Sequence, residues 1–286
     1  MADPWTIKRV LEWAAGDLDG RGTTSPRLDA ELMLSMALGC DRIKLIIDSA
    51  RPLDKQELGA YKALHKRRRL GEPIAYLRGE REFFSRRFVV DGRALVPRPE
   101  TEILVEVALR PTRRVDLCAR VLDLCTGSGC VAITLKKERP TTHVIGNDIS
   151  DDALALATQN GMRLGAHNDW VHGDLYQGLD ALRGKLDLVT ANPPYVSDAD
   201  MDELPIDIRE YEPAEALRGG PDGLVFLRRI IADAPMMLCK RGVLAVEVGA
   251  GQAPRVGALF EEVGFRDIQV DRDYGAHERV VSGVCA

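Results

Sequence analysis

Apolar positions along this chain change period twice. From residue 4 to 78 they recur three and four apart, as in Ile7-Val10-Leu11-Ala14, Leu28-Leu32-Met33-Met36 and Leu58-Tyr61-Leu64, the spacing that lays one face of a helix on a core. Ser25-Pro26 and Arg51-Pro52 interrupt the run, so the pattern predicts several short amphipathic helices. Residues 79–97 change character. Phe83-Phe84 and Phe88-Val89-Val90 stand around Asp91-Gly92, a hairpin signal. From about residue 98 strand-like and helix-like segments alternate, with apolar runs at 121–124, 142–148, 169–174, 186–191 and 243–248, as in a doubly wound sheet. Segments 267–271 and 279–284, separated by Tyr274-Gly275, suggest an antiparallel edge pair. The expected fold class is α/β, with a helical domain over 1–78, a β-hairpin linker over 79–97 and a sheet domain over 98–286.

A length of 286 residues suits two domains, and 45% hydrophobic residues supply a proper core. No apolar run is long enough to span a membrane, and residues 1–5 show no basic stretch followed by an apolar one. No membrane partner is therefore expected, and the cytoplasm is the expected compartment. Six cysteines without a CxxC pair and five scattered histidines argue against a metal site. Cys118, Cys125 and Cys130 flank one strand and its loop and read as small buried thiols. The net charge of −5 argues against a duplex nucleic-acid binder, which needs a basic footprint. Charge is uneven, with 14 Lys and Arg against 11 Asp and Glu in residues 1–78, and 25 against 33 in the remainder. His65-Lys66-Arg67-Arg68-Arg69 reads either as a solvated helix face or as a partner-binding patch.

Candidate chemistry concentrates at the predicted carboxyl ends of strands, where open α/β sheets place their ligands. Asn192-Pro193-Pro194-Tyr195 follows the apolar run 186–191 directly. Two prolines remove two backbone donors and fix two φ angles, leaving the carbonyls of Asn192 and Pro193 as rigid acceptors suited to a planar NH2 group. Accepting both N–H bonds would orient that nitrogen for in-line attack, and Tyr195 could stack on the flat group. The structural alternative is a strand-ending turn. Upstream, Cys125-Thr126-Gly127-Ser128-Gly129 lies between an apolar strand and a helical stretch, a nucleotide-type loop whose glycines permit close backbone approach. Asp148 ends the second strand about 20 residues on, the position of a ribose ligand. Asp174 closes the third, where an adenine amino group could donate to it. Either acid could instead cap a helix. The acidic, weakly periodic segment 197–223 is a candidate substrate-facing lid or a surface insertion.

In this order, the glycine loop, ribose acid, third-strand acid and NPPY run resemble the class I methyltransferases that use S-adenosylmethionine, with NPPY marking those that act on planar NH2 groups. Residues 71–77 (GEPIAYL), 81–84 (REFF), 95–102 (LVPRPETE), and Arg272-Asp273-Tyr274-Gly275 with 278–281 (ERVV) are similar to the HemK/PrmC family over nearly the whole chain. That family methylates the side-chain amide of the glutamine in the Gly-Gly-Gln motif of class I peptide chain release factors. The resemblance implies a Rossmann-like sheet, S-adenosylmethionine as methyl donor with S-adenosylhomocysteine as product, and no metal. It places Cys125 to Gly129 at the methionine part of the cofactor, Asp148 at the ribose, and Asp174 with Leu175 at the adenine. Asn192, Pro193, Pro194 and Tyr195 would hold the glutamine, with Asn192 and Pro193 catalytic and Asn192 also in contact with the cofactor. Arg98, Pro99 and Glu100 stand in a segment expected to fold over the cofactor. Cys125 replaces a glycine common in relatives, and Leu175 an aromatic found in some.

Three alternatives stay open. Glutamine methyltransferases of a large-subunit ribosomal protein share the middle of this chain, although residues 97–102 and 272–274 favour release factors. The same NPPY chemistry serves adenine amino groups in nucleic acid. A scaffold that kept the fold without catalysis is the third.

Overall fold

The computed structural model describes residues 4–111 and 118–286, and the described chain divides into two compact units. The first comprises residues 1–79 and a return segment, Pro205–Tyr211. It holds α1 (Ile7–Asp19), α2 (Pro26–Leu38), α3 (Arg42–Ile47), α4 (Lys55–Arg69) and α5 (Ile74–Arg78). Thr6 caps α1, and Asp54 with Glu57 forms a capping box at α4, satisfying N–H groups a helix start leaves unpaired. α1 buries the expected Ile7, Val10, Leu11 and Ala14.

α2 and α4 depart from the predicted faces. α2 buries Asp29, Ala30, Met33 and Leu34, and leaves Leu28 39% exposed. α4 buries Tyr61, His65 and Arg68. The reason is polar. Arg68 Nε donates to Asp29 Oδ2 at 2.7 Å, its Nη1 donates to the Gly71 and Glu72 carbonyls, and its Nη2 lies 3.3 Å from Asp207 of the return segment. The basic run is partly paired within this unit, with Lys66, Arg67 and Arg69 left on the exposed face. Arg67 pairs with Glu72, Arg69 with Asp17, and buried His65 packs against Trp13 and Tyr61.

The second unit comprises residues 80–204 and 212–286. Its elements are β1 (Glu80–Phe83), β2 (Arg86–Val89), α6 (Thr101–Leu109), β3 (Arg120–Leu124), α7 (Cys130–Glu138), β4 (His143–Asp148), α8 (Asp151–Leu164), β5 (Asp169–His172) and β6 (Leu186–Ala191). After α9 (Ile206–Arg209), which belongs to the return segment, come α10 (Val225–Met237), β7 (Leu238–Glu247), α11 (Ala253–Glu262), β8 (Arg266–Arg272) and β9 (Glu278–Val284). Seven strands pair in the order β5-β4-β3-β6-β7-β9-β8, parallel except for β9, which runs antiparallel between β7 and β8. The direction in which strands are added reverses between β3 and β6, which is where such sheets open a crevice for ligands.

Period-two alternation decides which side chain faces which layer. Val121, Leu188 and Ala245 join the core that includes α6 and α7, whereas Leu122, Leu124, Val189, Ala191, Leu244 and Val246 join that of α10 and α11. Thr190 and Glu247, two residues beyond Leu188 and Ala245, therefore fall on the α6 side.

The hairpin is present but turns elsewhere than Asp91-Gly92. Glu80 pairs with Val89 and Phe83 with Arg86, so the turn is Phe84-Ser85, with φ of 48° and 60°. Two left-handed residues match the right-handed twist of a two-residue hairpin even without the usual Asn-Gly. Phe83 and Phe88 fill the core and set that register. Asp91 instead accepts from the Arg93 N–H at 3.1 Å, a local turn. The hairpin lies within the second unit and is fastened there by the Phe84 N–H to Glu102 and by buried Asn160, which bonds both backbone groups of Val89 and the Ser128 carbonyl.

The acidic stretch 197–223 is divided. Its middle belongs to the first unit, and its ends are stitched to the second. Val196 N–H donates to the Leu217 carbonyl and Gly219 N–H to the Val196 carbonyl. Gly219 and Gly223 sit so close to Pro194 and Tyr195 that a Cβ at either would meet their backbone under 3.0 Å away.

Candidate active site

The loop after β3 is shaped by three left-handed residues, Cys125, Gly127 and Gly129, with φ of 54°, 55° and 78°. The turn raises the chain off the strand end and starts α7 at Cys130. Gly129 has a steric duty as well, since a Cβ there would come within 3.0 Å of Ala157, Ile133 and Trp170. Cys125 holds the same conformation with a side chain, as does Leu175 at φ 54°. Such residues cost roughly 1–3 kcal/mol each and gather where a ligand needs a fixed surface. Both line one cavity of about 690 Å3, within the roughly 300–1,000 Å3 typical of small-molecule sites.

Strand ends deliver the acids. Asp148, last in β4, accepts from the Gly127 N–H at 2.9 Å and the Ser150 N–H at 3.0 Å. Burial pushes its carboxyl above the ordinary aspartate value, and those N–H bonds oppose the shift. Each oxygen keeps a second lone pair, the acceptor set a vicinal diol requires. Asp174, beyond β5, is oriented by Arg229 of α10 at 2.7 Å. Asp123, buried in β3, accepts from Thr126 at 2.6 Å and from Thr190 of β6 at 2.7 Å, locking the loop and both strands of the crevice together. Burial raises its carboxyl to about 6. The Cys125 thiol is pushed well up by burial and the surrounding acids, and Cys130 up to about 12, so neither is an activated nucleophile.

The cavity brings together Arg98, Cys125, Thr126, Gly127, Ser128, Asp148, Asp174, Leu175, Asn192 and Pro194. Pro99, Glu100, Gly129, Pro193 and Tyr195 do not line it. Arg98 pairs with buried Glu212 at 2.5 Å, whose other oxygen accepts from the Val96 N–H at 3.2 Å. That carboxylate holds the 95–98 segment beside the cavity. Tyr195 sits against Gly249, its carbonyl accepts from Gln252 Nε2 at 2.9 Å, and burial raises its phenol to about 12. Asn192 uses its amide nitrogen on Thr101 Oγ1 at 3.2 Å, which turns the amide oxygen the other way.

Sequence reasoning missed Thr101, Asp123, Ala94 and Phe226 among the lining residues. Asp123 left a signal, an acid in the middle of an apolar strand. Thr101 stood inside the 95–102 motif without a role of its own, and Ala94 and Phe226 left no signal, because the pattern around them reads as ordinary helix or loop.

Comparison with known proteins bears on both units. Residues 9–79 match the family model described as PrmC N-terminal domain, and residues 100–207 the methyltransferase small domain. The release factor glutamine methyltransferase of Geobacter sulfurreducens is 43% identical over 279 residues, covering 98% of this chain and 96% of that protein. Its namesake from Rhodopirellula baltica is 38% identical over 291 residues, covering 98% and 96%. A solved methyltransferase from Pyrococcus furiosus superposes with a TM-score of 0.53 at 15% identity, covering 71% of this chain and 91% of that one, a likeness of fold alone.

Proposed function

The chain belongs to the release factor glutamine methyltransferase family, and from that premise we propose that it methylates the side-chain amide nitrogen of the glutamine in the Gly-Gly-Gln motif of class I peptide chain release factors. The observation that carries this reading is Asn192-Pro193-Pro194-Tyr195 at the end of β6, with the Asn192 amide nitrogen engaged by Thr101 and Asn192 itself on the cavity wall. The cytoplasm, where translation ends, is the compartment this implies.

The cavity fits S-adenosylmethionine by its donors and acceptors. Asp148 would hold the ribose hydroxyls, the 125–128 backbone the methionine part, and Asp174 with Leu175 the adenine. Asp123, Asp148, Asp152, Asp174 and Glu215 line this site, and its arginines Arg93, Arg98 and Arg218 are each paired with an acid, which suits a cationic ligand. When bound, the cofactor supplies an electrophilic methyl on a sulfonium sulfur.

The chain's own residues position the nucleophile. An amide nitrogen is weak because its lone pair is delocalised into the carbonyl. Asn192 Oδ1 and the Pro193 carbonyl accept its two hydrogens, orient the lone pair along the attack line and enrich it. With the methyl donor held by Asp148, Asp174 and the 125–128 backbone, the oriented lone pair would form the new N–C bond as the S–C pair returned to sulfur, and the nitrogen would then lose one proton to solvent or a transient acceptor. No strong base is required, because the methylated nitrogen is highly acidic before that loss.

The test is peptide mass spectrometry after incubation with S-adenosylmethionine and unmethylated release factor, in parallel with the unmethylated large-subunit ribosomal protein. One methyl on the Gly-Gly-Gln glutamine is expected. A methyl on the ribosomal protein alone would overturn the substrate assignment, and none on either would reopen nucleic acid and the scaffold.

A further inference from the structure

Glu247 ends β7 in a place where packing alone would put an apolar residue. Ala191 of β6 pairs with Val246, so Glu247 stands beside Asn192 at the next position along. It is 1% exposed, and its Oε2 has no hydrogen-bond partner. Leaving a carboxylate so placed is costly unless it performs a task. The hydroxyl of Thr101, itself 2% exposed at the start of α6, acts on this carboxyl and favours its charged form. That same hydroxyl oxygen accepts from Asn192 Nδ2 at 3.2 Å.

We propose that Glu247, acting through Thr101, is a positioning residue that holds the Asn192 amide with its oxygen toward the substrate. The proposal rests on the glutamine methyltransferase reading above. A carboxylate can only accept, so it draws the Thr101 proton to itself. Thr101 then faces Asn192 as an acceptor, and Asn192 must offer its NH2. The amide oxygen is left to receive a hydrogen of the substrate NH2. Reversing the polarity at Glu247 reverses every bond in the row. A donor there would let the Thr101 hydroxyl turn to Asn192 Oδ1, flip the amide, and set one NH2 against another.

Protonation of Glu247 is one such reversal. Burial raises its carboxyl to about 7, opposed by the Thr101 hydroxyl and by Arg279 and Arg98, and reinforced by Glu100. Those groups, with the Tyr195 phenol, are the charged and titratable side chains that act on it from β9, from the segment before α6 and from the end of β6.

The experiment measures kcat and KM for unmethylated release factor from about pH 6 to 9, with cofactor Kd by calorimetry, for wild type, Glu247→Gln, Thr101→Val and Thr101→Ser. Glu247→Gln keeps the volume and is expected to lower kcat by about 10- to 100-fold, with cofactor Kd held within about twofold. The wild type is expected to lose kcat below about pH 7, and the Glu247→Gln profile should lack that fall. Thr101→Ser should recover most of what Thr101→Val loses. Wild-type kcat and pH profile in Glu247→Gln would overturn the proposal. If that variant does not fold, equal losses in Thr101→Val and Thr101→Ser would do so. Absence of transfer by the wild type overturns the functional reading instead and takes the proposal with it.

Discussion

The Gly127 N–H donates to Asp148 Oδ2 at 2.9 Å, tying the turn after one strand to the acid that ends the next. Asp148→Ala removes an acceptor from that turn and from the proposed ribose contact together. Bonds to a charged acceptor are worth about 1.5–3 kcal/mol, so cofactor Kd should rise roughly 10- to 100-fold. Calorimetry checks this, and turnover at saturating cofactor should change far less.

Asn192→Ala should have the opposite signature. The residue orients the nucleophile in the proposed reaction, so kcat should fall about 100-fold or more while cofactor affinity holds. Single-turnover methyl transfer separates the two effects, and retained turnover would remove Asn192 from its role.

Asp123 makes stability depend on pH in a stated direction. Burial raises its carboxyl to about 6 from an ordinary 3.8, so between those values the native state binds more protons than the unfolded chain. The contribution is full below about 3.8 and is lost as pH rises through about 6. Asp123→Asn should gain stability relative to wild type as pH rises across that window. Urea midpoints at the two ends measure it, and a constant difference would contradict the buried charge.

At the hairpin, Ser85 is exposed and left-handed. Ser85→Gly relieves a conformation that disfavours any Cβ, and should raise stability by about 0.5–1 kcal/mol after glycine's own entropy is counted. A shift in the denaturant midpoint at constant slope is the check.

Asp29 and Arg68 form a pair with side chains 6% and 8% exposed. Removing one member of a buried pair costs about 3–5 kcal/mol, and Asp29→Ala should fall toward the lower figure because Asp207 still faces Arg68. Hydrogen exchange of α2 and α4 should accelerate, with β3 and β6 little changed.

Much of the architecture was legible because it is written in local periodicity. Apolar runs marked β3, β4, β6 and β7, and the turn residues marked their carboxyl ends, where the cavity opens. The register of the hairpin was not legible. Asp91-Gly92 is the stronger turn signal locally, and the burial of Phe83 and Phe88 overrides it. Thr101, Glu247 and Asn160 were hidden for another reason. Each acts on a partner far away in sequence, and a threonine starting a helix or a glutamate ending a strand carries no sign of that partner. The partners of the basic run 65–69 were hidden in the same way, since Asp17, Asp29, Glu72 and Asp207 are scattered along the chain, while Lys66, Arg67 and Arg69 keep the exposure of a solvated helix face.

The return segment sets an order of events during synthesis. Within the first unit, Arg68 faces Asp207, Gly71 lies against Ile206, and the Tyr211 hydroxyl donates to the Leu70 carbonyl at 3.1 Å. A ribosome that has made residues 1–79 has therefore made an unfinished unit. It waits until more than a hundred further residues, including the strands from β1 to β6, have emerged, at about 5–20 residues per second. A fragment cut after residue 79 would carry that gap permanently, so a boundary drawn along the sequence is not a boundary in the fold.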